Sequence, residues 1–271
     1  MCRMIAAVGR FEPAALRRAL LRMAANDNPA HDHEYRSRGA SFRHTDGWGM
    51  AWTQDGRLRT VRRTISVLLD DWVERIDPLQ TNILLLHARK ATQPGSISTK
   101  NTHPFPATFL GRDWAFCHNG ALDNLNGLRT APGMAPAGGT DSESLFHHFL
   151  GELAAREELV AQARADRTVN VDTVGAAAIS PSQFERTTPE ASLAATIAVP
   201  KDFTALHCLV ATTDRVLAAA CRHPARSQPG YHALWIGEGP GLRAVSSEPV
   251  DGLGCAWTRL AEPGVVALEM V

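Results

Sequence analysis

The chain has 271 residues, long enough for one sizeable core, and its 28 basic and 28 acidic residues cancel. With no net charge and no sustained basic stripe, nucleic acid is excluded as an expected partner. Its five cysteines, Cys2, Cys117, Cys208, Cys221 and Cys255, are odd in number and form no CxxC spacing, which argues against a disulfide framework or structural zinc and fits a reducing cytoplasm. No basic-then-apolar leader and no apolar run of membrane-spanning length occurs, so neither secretion by a signal peptide nor a membrane partner is expected. A single domain over residues 1–271 is expected, its mature form starting at residue 2.

The second residue is a cysteine. Removal of Met1, efficient before so small a residue, leaves Cys2 with a thiol and a free α-amine on one carbon, so a nucleophile and its base share one residue. Taken alone, position 2 is also an ordinary place for a cysteine with no chemical role. Apolar, β-branched and aromatic runs predict strands at Met4 to Val8, Trp48 to Trp52, Leu58 to Val67, Ile83 to His87 and Trp114 to His118. A second set follows at Leu206 to Thr212, Val216 to Cys221, Ala233 to Gly237, Leu242 to Ser246 and Val265 to Met270. Helices are predicted over Pro13 to Ala25, over Ser142 to Arg156 behind a Thr140 or Asp141 cap, and near Pro189 to Val199 within the stretch Ala165 to Pro200. Asn26 to Ser41 is polar, and Thr130 to Gly139 has the composition of a mobile loop. Strands, then helices, then strands, with few βαβ alternations, indicate a layered α+β fold.

Five segments place small, polar and charged residues at strand ends: His44 to Gly49, His87 to Thr92, Asn101 to Phe105, His118 to Gly120, and Thr140 to Glu143. Arg89 follows a strand, where its planar guanidinium either takes a carboxylate with two parallel hydrogen bonds or sits on a surface turn. Thr92 offers a hydroxyl to the same carboxylate. Asn119-Gly120 reads either as a hairpin turn or as a place where backbone closely approaches a ligand. Asp141 stands where a helix cap would.

Other candidates carry less. The glycines around Trp48 are read as packing the strand beneath Cys2, and His103 as ordering a turn before Pro104. Arg3 either favours the neighbouring thiolate by charge or forms a structural ion pair. Ser246 to Pro249 is assigned a structural role, and Cys117 is expected to be buried and inert. The His31-Asp32-His33 and His147-His148 groups have only the look of metal ligands, since neighbouring helix residues face apart.

With Cys2, and in this order, the five segments resemble the glutaminase domain of the class II glutamine amidotransferases, which are N-terminal-nucleophile hydrolases. The resemblance covers most of the first 150 residues. It is strongest to stand-alone bacterial proteins that begin MCR and carry DGWG, HARxAT, NTHPF and HNG, one branch of which hydrolyses a γ-glutamyl amide in ergothioneine synthesis. The resemblance implies a four-layer αββα sandwich of two antiparallel sheets and hydrolysis of glutamine or a γ-glutamyl metabolite through a Cys2 thioester. It assigns the oxyanion to the Asn119 side chain and the Gly120 amide, the α-carboxylate to Arg89 with Thr92, and the α-ammonium to Asp141, with no metal or cofactor. No fused synthase is recognised after residue 150, so the implied roles are direct hydrolysis or ammonia supply to a separate synthase subunit. Two rivals remain: an inactive protein that binds γ-glutamyl ligands, and a histidine-metal hydrolase, which would need stoichiometric metal.

Overall fold

In the computed structural model, residues 2–92, 95–167 and 181–270 are described. Twelve strands and three α-helices follow one another as β1 (Arg3–Gly9), α1 (Pro13–Ala24), β2 (Trp48–Gln54), β3 (Arg57–Arg63), β4 (Ile83–Ala88), β5 (Phe105–Phe109), β6 (Arg112–Leu122), α2 (Asp141–Arg167), α3 (Pro181–Ala198), β7 (Phe203–Ala211), β8 (Arg215–Ala220), β9 (Trp235–Gly239), β10 (Leu242–Ser246), β11 (Ala256–Arg259) and β12 (Gly264–Glu269). The strands form a seven-stranded sheet, ordered β11-β9-β10-β1-β4-β2-β3, and a five-stranded sheet, ordered β12-β8-β7-β6-β5. All pairings are antiparallel.

The period of two along β1 decides the layering. Ile5 and Ala7 point into a core shared with Leu16, Leu20 and Met23 of α1, whereas Met4, Ala6 and Val8 point into the core shared with Cys117, Leu209 and Ala218 of the other sheet. A third core places Phe146, Phe149 and Leu193 of α2 and α3 on the far face of the five-stranded sheet. The order is therefore helix, sheet, sheet, helices, the four-layer αββα sandwich expected from the sequence. Cys2 continues the alternation of Met4 and so belongs to the inter-sheet side.

Several boundaries moved. β3 stops at Arg63 rather than Val67, because Asp70 gathers the Arg63 guanidinium, the Trp48 indole N–H and the Trp72 amide and turns the chain. The edge strands β5 and β11 were not expected: β5 contains Pro106, and β11 is mostly exposed, so neither carries a buried-strand pattern. Helix α2 runs past Arg156 to Arg167, and α3 begins before Pro189; residues 168–180 of the Ala165 to Pro200 stretch lie outside the described residues. The Thr130 to Gly139 segment is tied at its end, since Glu143 accepts from the Ala137 and Gly138 amides and Asn101 Oδ1 from the Gly139 amide.

A buried ionic knot fixes the start of β1. Arg3 Nε lies 2.8 Å from Glu248 Oε1, with both side chains out of solvent, and its guanidinium covers the Tyr231 ring at 3.7 Å. Asn28 donates to Glu248 Oε2 and Arg3 Nη1 donates to the Tyr231 carbonyl. Next to the knot, Ser247 accepts from the Met4 amide through its hydroxyl and donates its own amide to the Met4 carbonyl. Arg3 is thus a structural ion pair, and Ser246 to Pro249 anchors the strand that follows Cys2.

Removing one member of such a pair strands a buried charge, so Glu248→Ala should cost about 3–5 kcal/mol of folding free energy, read from denaturant midpoints. Acid should act on the same knot. Burial alone would raise the Glu248 carboxyl, but Arg3, His33 and Asn28 outweigh it and hold it at about 2 against an ordinary 4.5. Its contribution is complete above 4.5 and lost as pH falls toward 2. His232 loses stability earlier. Burial, helped by Arg3, pushes it to about 4 from 6.5, and its Nδ1 accepts the Gln228 amide, so the neutral form is the folded form. Stability should therefore decline as pH drops from 6.5 to 4, and again below 4.5.

Candidate active site

The thiol of Cys2 opens on a cavity of about 520 Å³ at one end of the sandwich, lined also by Arg89, Thr92, His103, Gly120 and Asp141. Antiparallel pairing explains the meeting. Arg3 stands opposite Ala88 in the β1–β4 register, so the start of β1 lies beside the end of β4, where Arg89 follows. From the facing sheet, β6 brings His118, Asn119 and Gly120 to the same end. Asn119 lies beneath Cys2, and its Oδ1 accepts the Cys2 N–H at 2.7 Å.

Asn119 and Gly120 form no hairpin turn. They stay within β6, opposite His207 and Leu206 of β7, and a register shift follows Gly120. Glycine is required there because a Cβ would fall 1.8 Å from the Ala205 carbonyl oxygen. His118 bridges this strand to α2, with Nδ1 at 2.9 Å from Ser142 Oγ and Nε2 at 3.1 Å from the Ala205 carbonyl. The Asn119 Nδ2 is buried with no hydrogen-bond partner, although a buried amide normally satisfies its donors.

Arg89 is 5% exposed. Its Nη2 donates to the Ser96 hydroxyl and carbonyl, and Nη1 has no hydrogen-bond partner. The DGWG segment holds this arginine in place: the Asp46 amide donates to the Arg89 carbonyl, the Arg89 amide to the Gly47 carbonyl, and the Ala91 amide to Asp46 Oδ2. Gly49 lets the NTHPF segment descend onto β2, since a Cβ there would lie 2.3 Å from the His103 carbonyl oxygen. Trp48 does not pack beneath Cys2. It faces the α1 side of its sheet, because β2 alternates as β1 does and Trp48 stands opposite Ala88.

Asp141 opens α2, but the hydroxyl that accepts the Glu143 amide is that of Thr140. One Asp141 oxygen instead accepts the Leu122 amide at 2.7 Å and the other lies 3.4 Å from the Ser142 hydroxyl, and the residue lines the cavity. Thr92 is exposed at the cavity rim. Asn101 ties two rim loops together, donating to the Ser96 carbonyl and accepting from the Gly139 amide.

His87, given no role from sequence, and His103, read there as ordering a turn, also converge here. His87 and His103 are buried with ring centroids 4.3 Å apart. Burial, with the Arg89 charge second, pushes His87 down to about 3, the His118 backbone offsetting part of this, and burial takes His103 well below its ordinary value. Both are neutral imidazoles near pH 7. Their place in HAR and NTHPF was the available signal; that they meet each other is a tertiary fact. The other histidine groups are occupied elsewhere: His148 Nδ1 accepts the Arg129 amide, His31 contacts the Gly230 carbonyl, and His33 joins the Arg3 knot. Cys117 is buried between the sheets, and burial pushes its thiol well up, so it is inert.

Two antiparallel sheets between helical layers, with a cysteine leading a central strand into a polar cavity, define the N-terminal-nucleophile class of fold. The sequence profile of the class-II glutamine amidotransferases matches residues 20–178, more than half of the chain, and the chain belongs to that family. It is 38% identical over 117 residues to the uncharacterized protein MJ1515 of Methanocaldococcus jannaschii, covering 42% of this chain and 32% of that one. It is 32% identical over 125 residues to YafJ of Escherichia coli K12, named as a candidate glutamine amidotransferase, covering 44% and 46%. The matches thus span less than half the length of these relatives. Among solved structures, the allosteric regulatory enzyme of purine biosynthesis superposes with a TM-score of 0.65 at 17% identity, over 99% of this chain and 47% of that one, a likeness of fold. No described helix is long and apolar enough to cross a membrane.

Proposed function

We propose that this chain cleaves the γ-glutamyl amide of glutamine or of a γ-glutamyl metabolite, through a thioester on Cys2 once Met1 has been removed. The observation that carries the reading is a pair of buried donors without acceptors, Arg89 Nη1 on a residue that lines the same cavity as Cys2 and Asn119 Nδ2 on the side chain whose Oδ1 accepts the Cys2 N–H. In the proposed reaction the α-amine takes the thiol proton and Cys2 Sγ attacks the carbonyl carbon of the γ-glutamyl amide. The oxyanion is met by Asn119 Nδ2 and the Gly120 amide. Collapse returns the proton to the departing nitrogen, and water then attacks the thioester to release glutamate and restore the thiol. Arg89 takes the α-carboxylate with Thr92 at the rim, and Asp141 takes the α-ammonium, so both substrate charges are paired on burial. A cavity of about 520 Å³ lies in the size range of sites for drug-sized ligands, which favours a γ-glutamyl amide larger than glutamine. Delivery of ammonia to a separate synthase is the second role open to the same site.

Arg89→Lys keeps the charge and loses the planar fork, and should cost about 1.5–3 kcal/mol in substrate binding. Asp141→Asn should be comparably damaging to kcat/KM, although the Leu122 contact survives in that variant. Product release over a panel of γ-glutamyl amides, with intact mass to establish loss of Met1, checks both. Active protein that retains Met1, or an Asp141→Asn variant with unchanged kinetics on every panel member, would remove the amine base or the ammonium clamp respectively.

A further inference from the structure

Three ligating atoms converge at the nucleophile: Cys2 Sγ and one ring nitrogen each of His87 and His103 all lie within 4.8 Å of one another, and all three residues are buried. Neither ring nitrogen of His103 has a hydrogen-bond partner among the described residues, and the His87 ring has none beyond the His118 backbone, which partly supports its charged form. A buried polar group left without a partner is unfavourable, and here two such rings stand side by side. Amide hydrolysis as proposed above gives neither ring a task, since the amine serves as base and Asn119 and Gly120 meet the oxyanion.

We propose that Cys2, His87 and His103 form a binding site for a thiophilic divalent metal ion, Zn²⁺ foremost, whose occupancy holds the nucleophile as a metal thiolate and so switches the enzyme off. One thiolate and two neutral imidazoles are the donor types zinc selects. With Zn–S near ~2.3 Å and Zn–N near ~2.0–2.1 Å, tetrahedral donors stand roughly 3.3–3.8 Å apart. Closing the observed cluster to that size takes about 1 Å of side-chain rotation, within reach of Cys2 χ1 and the two rings. Binding releases the thiol proton to solvent, forms no carbon bond and changes no oxidation state, so a chelator reverses it. The α-amine freed by loss of Met1 sits one carbon from the thiol-bearing Cβ and would complete four ligands through a five-membered chelate. The inhibitory consequence and this fourth ligand rest on the function proposed above; the three-residue site does not.

The test uses the full chain, reduced and stripped of metal, titrated with Co²⁺ as a spectroscopic probe and then with Zn²⁺. One equivalent of Co²⁺ should give a thiolate-to-cobalt charge-transfer band and tetrahedral ligand-field bands, bleached by one equivalent of Zn²⁺. Cys2→Ala should abolish the charge transfer, Cys117→Ala should keep it, and His87→Gln and His103→Gln should each weaken binding by more than the roughly 10–100-fold seen for loss of a mere supporting partner. A second measurement needs no variant: stoichiometric Zn²⁺ should block alkylation of Cys2 by iodoacetamide, and chelator should restore it. Absence of a stoichiometric site, charge transfer that survives Cys2→Ala, or alkylation indifferent to Zn²⁺ would overturn the proposal. On any panel substrate that is turned over, chelator should raise the rate and Zn²⁺ abolish it; loss of rate with chelator would overturn the inhibitory role in favour of a metal hydrolase. A cobalt spectrum with no γ-glutamyl turnover condemns the proposed reaction, and turnover without a metal site condemns this inference.

Discussion

Cys2→Ala should leave at most about 10⁻⁴ of the γ-glutamyl turnover, because in hydrolases that work through a covalent intermediate loss of the nucleophile alone costs up to ~10⁶ in kcat. Substrate affinity should change little, since Arg89 and Asp141 reach the cavity from other elements. The variant should also fold: Cys2 precedes β1, whose place is fixed by Arg3, Met4 and Ser247. A glutamine-mimicking diazo-ketone should label Cys2 in the wild-type protein and leave Cys117 and Cys208 untouched. Burial pushes both of those thiols up, so little thiolate is available at either. Labelling at Cys117, or turnover by the alanine variant above 1% of wild type, a generous margin over the ~10⁻⁴ expected, would remove Cys2 from the mechanism.

The second large effect is expected at Asn119. Its Oδ1 holds the Cys2 N–H at 2.7 Å while its Nδ2 is buried without an acceptor, so the amide is oriented with its donor free for a charge that develops only during reaction. Asn119→Ala should lower kcat by about 10²–10³ and leave KM nearly unchanged, the loss expected for one oxyanion donor, roughly 2.7–4 kcal/mol. Asn119→Asp refines the test. Aspartate keeps an acceptor for the Cys2 nitrogen but no donor for the oxyanion, so it should be at least as damaging as alanine. An Asn119→Asp variant with near wild-type kcat would mean that Asn119 only anchors Cys2, and the oxyanion assignment would have to pass to other groups.

Much of the fold was legible because its strands are short, bounded and buried. The unbroken apolar run of β1, bounded by Gly9, and the bulk of Leu145, Phe146, Phe149 and Leu150 on one side of α2 carry enough hydrophobic signal to type both elements locally. The edges were not legible. β5 and β11 gain their hydrogen bonds from β6 and β9, so their sequences need no burial of their own, and Pro106 in β5 is tolerated only because that strand has a single neighbour.

The site divides in the same way. The sequence alone supplied the candidate groups: a thiol one peptide from the amino terminus, an arginine at a strand end, an asparagine-glycine step, and an acid opening a helix. Which of them touch was decided only by tertiary structure. Cys2 and Asn119 are 117 residues apart, and side-chain period states the face of a strand but not the strand that will cover it. The turn alternative at Asn119-Gly120, the face of its sheet that Trp48 takes and the silence about His87 share that cause. In each, a partner distant in sequence decided: Ala205 of the neighbouring strand β7 against Gly120, the α1 core around Trp48, and His103 against His87.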